Sequence, residues 1–115
     1  MATFTKLKLS GSTNGRGIAV AATATLGTTI HTAHATALDE VWLYAANIHS
    51  SAVTLTVEFG GVTATSDLIQ QSIAVTPSGL VLVCAGLLVT GSVVVTAFAG
   101  TANKIEIFGF VNRIA

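Results

Sequence analysis

Side chains able to do chemistry are few in this chain: three histidines, one cysteine, five acids and five bases among 115 residues. His31 and His34 lie three apart. On a helix that spacing would set both rings on one face and offer a metal two ligands. On a strand, positions three apart point to opposite faces. Their surroundings, LGTTIHTAHATA, have strand or loop character, and no cysteine or carboxylate cluster completes a ligand set. Asp39-Glu40 is an adjacent pair of acids. Neighbouring strand residues diverge, so the pair reads as a solvated strand start or as a hold for a partner's Lys or Arg. Glu58, Asp67 and Glu106 are isolated, whereas acid–base catalysis needs two groups converging on one pocket. Cys84, inside LVLVCA, reads as a small buried apolar side chain, and a single cysteine builds no internal disulfide. The loop SGSTNGRG, residues 10–17, has the glycines of a phosphate cradle but no helix after it. A nucleophile elbow, a Walker loop and a dinucleotide fingerprint are all absent from the sequence. The expectation is a non-enzyme with no catalytic residue, metal ligand or cofactor. Trp42 and Tyr44, two apart, share one strand face. Exposed, they would stack on a sugar ring; their apolar neighbours favour burial as core or interface anchors.

Composition bounds the class. Hydrophobic residues make up 51% and charged ones 9%, against roughly 25% charged in an ordinary domain. A lone domain of this size buries only about 65% of its unfolded surface. The apolar excess therefore points to contacts between copies, because obligate interfaces resemble a core cut in half. Formal net charge is zero, which gives a phosphate backbone no basic patch to meet. The opening MATFTKLKLSGSTNGRG is not expected to be a signal peptide, since no apolar core follows its lysines. No charge occurs from Leu68 to Ala102, and part of that run has the length of a membrane span. Gly86, Thr90, Gly91, Ser92 and Thr96 divide it into Val-rich pieces with a turn between them. It also lacks flanking aromatic belts and a basic cluster, so a membrane segment is not expected.

The elements that would position these residues are short strands. Val53, Leu55, Val57 and Phe59 alternate with Thr54, Thr56 and Glu58, the period of a half-buried strand. Val41 to Ile48 is apolar on both faces, which predicts a strand covered on both sides. Together Leu38 to Gly61 reads as a β-hairpin joined by His49-Ser50-Ser51-Ala52. Thr3 to Leu9 carries lysines on one side, as an edge strand or an extended arm does, and the Gly/Ser loop after it reads as a hinge with a turn at Asn14-Gly15. Further strands are expected over residues 18–24, 26–33, 80–84, 87–89, 93–99 and 104–113. A helical turn with Ser66 as its cap fits Asp67 to Ser72, and Pro77-Ser78-Gly79 reads as a turn. The sum is all-β: an antiparallel β-sandwich, jelly-roll-like, of about eight short strands. Residues 1–17 would form an extended N-terminal arm and flexible loop, and residues 18–115 the sandwich.

Three segments, LDEVWLYAANIHSSAVTLTVEFGG, GLVLVCAGLLV and TAFAGTANKIEIFGFVNRIA, resemble small virion proteins of tailed bacteriophages, of the capsid decoration or cement type. They cover about the C-terminal two-thirds of the chain. The resemblance implies a β-sandwich homotrimer, made in the host cytoplasm, that sits on the phage head and ties neighbouring copies of the major capsid protein together. A neck or tail component shares the same composition, and the alternative is a glycan- or receptor-binding β-sandwich module of a phage fibre or tail. On the decoration reading, Phe4, Lys6, Leu7, Lys8, Leu9 and Arg16 are the expected capsid contacts. Leu80, Leu82, Leu87, Val89, Val94 and Phe98 are the expected subunit interface. No nucleic acid, membrane, cofactor or small-molecule substrate is expected.

Overall fold

Period-two alternation decides which side of each strand faces inward, and the strands assemble accordingly. The computed structural model describes residues 3–63, 66–74 and 80–115. Among them lie nine strands: β1 (Phe4–Lys8), β2 (Ile18–Ala19), β3 (Thr28–Thr32), β4 (Leu38–Asn47), β5 (Val53–Phe59), β6 (Leu68–Ile73), β7 (Val81–Val89), β8 (Val94–Ala99) and β9 (Ile105–Ile114). The first sheet has the order β1-β9-β4-β7, with β2 also pairing β9, and the second has the order β3-β8-β5-β6. Every pairing is antiparallel. A five-stranded sheet, with β1 and β2 sharing one edge position, and a four-stranded sheet filled in this order form a jelly roll, so the all-β sandwich expected from the sequence is the fold.

The core lies between the sheets. Val41, Leu43 and Ala45 of β4 and Ile105, Ile107 and Val111 of β9 meet Leu55 and Val57 of β5 and Val95, Ala97 and Ala99 of β8, all buried. Small residues let the central strands close up. A Cβ on Gly109 would sit 2.0 Å from the Trp42 carbonyl oxygen, too near for any side chain while β4 and β9 stay paired.

Four expectations are corrected. Leu38 to Gly61 is not a hairpin: β4 belongs to the first sheet and β5 to the second. The link His49-Ser50-Ser51-Ala52 is an arch across the sandwich. Its two strands each turn one face to the shared core, so both alternate as hairpin strands would. Consequently only one face of β4 is covered, and Trp42, Tyr44 and Ala46 lie half-buried on the outer face. Asp67 to Ser72 forms no helical turn, because β6 pairs with β5 from Leu68↔Glu58 to Ile73↔Val53. The two strands expected over residues 80–84 and 87–89 are one, β7, bent at Gly86 (φ 74°) where its register with β4 shifts.

The fourth concerns the arm. Residues 4–8 pair along their length with residues 110–114 of β9, and β2 continues the same edge against Ile107 and Glu106. The stretch is therefore an edge strand interrupted by an excursion, and residues 3–17 are not separate from the sandwich. Nor is the excursion a free hinge. Gly11 N–H donates to the Ile30 carbonyl at 2.9 Å and the Ser12 hydroxyl to the Arg16 carbonyl at 2.6 Å. Asn14 and Gly15 hold the expected turn with φ of 54° and 82°. The expected turn at Pro77-Ser78-Gly79 lies outside the described residues.

Candidate functional site

Three charged or titratable residues from different elements meet at one end of the sandwich. Asp39, on the inner face of β4, is fully buried. Arg113 of β9 donates to it twice, Nε to Oδ1 at 2.7 Å and Nη2 to Oδ2 at 2.9 Å. His31 of β3 lies 2.7 Å away through Nε2. Because Ser10 N–H donates to His31 Nδ1 at 3.0 Å, Nε2 carries the ring hydrogen and donates to Asp39. Burial pushes the Asp39 carboxyl up. The hydrogen bonds from Arg113 and His31, the guanidinium charge and the His34 N–H outweigh it and hold the pKa at about 2. Asp39 is thus neither a solvated strand start nor free for a partner. His34 turns away, its Nδ1 accepting the N–H groups of Thr36 and Ala37 at 3.1 and 2.9 Å. The histidines do not converge, and among the described residues no group of three His, Cys, Asp or Glu could hold a metal. With both nitrogens of His31 engaged, by Ser10 N–H and by Asp39, the cluster ties the two sheets together.

Two more buried polar groups are consumed in the same way. Glu58, on the outer face of β5, is covered by the segment before β3. It accepts from the Thr25 hydroxyl, from Gly27 N–H at 2.8 Å and from the Thr96 hydroxyl at 2.7 Å. Burial raises its pKa, and the Thr25, Thr96 and Gly27 donors more than offset that, leaving it lowered. Asn47, at the end of β4, donates to the carbonyls of Ser51 and Ile73 at 3.0 and 2.8 Å and accepts His49 N–H at 2.8 Å. Cys84 is buried, as expected, and its thiol donates to the Val41 carbonyl at 3.3 Å; burial pushes its pKa up.

The outer face of the first sheet gathers most of the aromatic residues. Trp42 and Phe110, directly opposite on β4 and β9, stack with centroids 6.0 Å apart and planes 10° from parallel. Lys6 Nζ lies 4.5 Å from the Phe110 centroid, a cation–π contact. A Cβ on Gly86 would meet Trp42 Cζ2 at 3.1 Å, so Gly86 lies against the indole. The indole N–H donates to Glu40 at 2.7 Å, and Asn112 adds a second donor to the same oxygen at 3.0 Å. Lys6, Phe110, Trp42 and Gly86 thus form one row across β1, β9, β4 and β7. Its rings are packed against one another rather than laid open for a sugar to stack on.

Of the expected capsid contacts, Phe4, Lys6 and Lys8 share the outer side of β1, and Arg16 is exposed on the loop that follows. Lys8 Nζ donates to the Ser12 carbonyl at 2.9 Å. Leu7, half-buried on the inner side opposite Val111, and Leu9, buried to 1% exposure, belong to the core side and are corrected as contacts. The expected subunit interface divides. Val94 and Phe98 lie on the outer face of the second sheet, and Val89 packs against the core. Leu80, Leu82 and Leu87 remain exposed along β7, at 52, 47 and 44%.

Leu88, which sequence reasoning passed over, is the most exposed of that row at 55%. It also lines a cleft of about 470 Å³ between β6 and β7, walled by Phe59, Leu68, Ile69, Leu87 and Val93, with Ser66, Asp67 and Thr90 at its polar side. The signal that could have found it is the absence of charge from residue 68 to 103. No helix among the described residues is long and apolar enough to cross a membrane. Comparison with protein-family models, with curated proteins and with solved structures finds no match.

Proposed function

We propose that this chain is a non-enzymatic structural protein of a tailed-phage virion, a head-decoration protein that self-associates and bridges subunits of the major capsid protein. The observation that carries the reading is the exposed, uncharged cluster of Leu80, Leu82, Leu87 and Leu88 along the β7 edge, beside an open cleft that is apolar except for Ser66, Asp67 and Thr90. Buried acids are spent on internal locks rather than aimed into a cavity: Asp39 on Arg113 and His31, Glu58 on Thr25, Gly27 and Thr96. Jelly rolls serve as viral capsid and lectin domains among other roles; fold alone decides no function, and the resemblance of the three segments to decoration proteins supplies the direction. Phe4, Lys6, Lys8 and Arg16 are the surface offered to the shell, where the cations meet acidic capsid groups.

The test is co-sedimentation of the full chain with phage heads lacking it. Wild-type protein is expected to pellet with heads, and Lys6→Glu/Lys8→Glu to bind at least about tenfold more weakly. Deleting residues 2–10 is not a clean version, because it removes β1 and the core residue Leu9. No binding by the wild-type chain, or equal binding by the charge-reversed one, removes the assignment. Pelleting with tails or necks instead of heads would move the protein to that part of the virion.

A further inference from the structure

We propose that the free edge of β7 is a two-fold contact between two copies of this chain, with the axis passing beside Ala85. The inference rests on the reading above only for self-association, puts a dimer in place of the homotrimer that the resemblance implies, and is independent of head binding. β7 pairs with β4 on one side and with no described strand on the other. Unpaired edges invite strand pairing, and proteins guard them with charge, bulges or cover. The opposite edge of this sheet, β1, carries Lys6 and Lys8. The β3 edge is covered by residues 10–12 through Gly11 N–H to the Ile30 carbonyl and Thr32 N–H to the Ser10 hydroxyl. β7 is bulged but holds no charge, and its leucines face water.

A second copy is the occupant that fits. From residue 68 to 103 the chain has no Asp, Glu, Lys, Arg or His, and the one charge in the cleft, Asp67, already accepts Thr63 N–H at 3.0 Å, so the strand itself offers nothing to a partner recognised by its charge. A two-fold contact sets a surface against itself, and like charges directly opposed are destabilising. The uncharged β7 edge meets no such cost, whereas paired β1 edges would crowd four lysines together.

The layout of the strand agrees with this symmetry. Leu82, Ala85 and Leu88 lie opposite Tyr44, Trp42 and Glu40 on the outer face. Leu82 and Leu88 are each three residues, about 10 Å, from Ala85. The cleft opens at the Leu87–Thr90 end, and Leu80 and Leu82 project at the other. A two-fold axis at Ala85 lays Leu82 of each copy against Leu88 of the other and brings Leu80 to the other's cleft, beside Thr90. The four leucines expose roughly 400 Å² a copy, half of one side of a standard interface, and the cleft walls and strand backbone supply the remainder.

Sedimentation equilibrium of the full chain is expected to give twice the chain mass. Ala85→Cys should form a disulfide-linked dimer under mild oxidation, since residues on the axis bring their Cα atoms within bridging distance, while Ile48→Cys, exposed elsewhere, should not. Leu82→Lys should weaken the dimer at least about tenfold without changing the circular dichroism. The double variant Leu82→Lys/Leu88→Glu should regain it, because the two new charges are opposite and meet across the axis. A monomer, a trimer, or a dimer indifferent to these substitutions overturns the proposal. The head-binding reading fails separately, if an intact dimer ignores heads.

Discussion

Asp39 is where the sequence was hardest to read and where the chain is most sensitive. Its chief partner, Arg113, lies 74 residues away, and no local pattern links the two. Residues whose environment is their own strand, such as Cys84 or Val57, were legible because neighbours along the chain reveal apolar surroundings; a carboxylate paired across strands is not. A folded pKa of about 2, below the ordinary 3.8, means the folded state binds this proton less readily than the unfolded chain. The stability it contributes is therefore complete above about pH 4 and is lost as pH falls through about 2, a loss of about 2 kcal/mol. Asp39→Asn should cost about 2–4 kcal/mol at pH 7 by leaving Arg113 and His31 underpaired. The gap between variant and wild type should narrow as pH drops from 5 to 2. Urea midpoints measured across that range check it, and a gap independent of pH would exclude Asp39 as the titrating group.

At the level of elements, strand positions were largely legible and strand partners were not. Alternation identified β5 with its inward face, because a half-buried strand must alternate wherever it sits, and β8 and β9 match the ranges expected for them to within one residue. The same alternation holds for a hairpin and for an arch, so it could not tell that β4 and β5 belong to different sheets. The informative signal was chemical: His49-Ser50-Ser51-Ala52 lacks the Asn-Gly or Asp-Gly pair of a tight hairpin, which is present at Asn14-Gly15, where the chain does turn. The arch is held by Asn47, whose side chain ties the Ser51 and Ile73 carbonyls and the His49 N–H together. Asn47→Ala should leave these groups unpaired and destabilise the fold by about 2–3 kcal/mol, read as a lower urea midpoint. An unchanged midpoint would mean that the arch is held by its backbone alone.

For the molecule as a whole, the apolar surplus predicted a place for itself but not its location. The accessible surface of 5946 Å² is close to the roughly 5,800 Å² of a folded monomer of this size, so the excess sits outside rather than in a larger core, with Leu80, Leu82, Leu87 and Leu88 as its densest cluster. Charge is divided accordingly, with Lys6 and Lys8 on β1 and none on β7. The two contacts should respond oppositely to salt. Raising salt from about 0.05 to about 0.5 M should weaken attachment to heads and leave self-association unchanged, both measurable by sedimentation. The path of the chain carries a last consequence. Only β5 and β6 are consecutive neighbours within a sheet after β2; otherwise each new strand crosses to the opposite sheet. Little of the fold can therefore form early from adjacent residues, and closing these distant pairings first costs chain entropy. Such a protein acquires its shape slowly, in milliseconds to seconds, and during that interval its long uncharged stretch lies open to other unfinished chains.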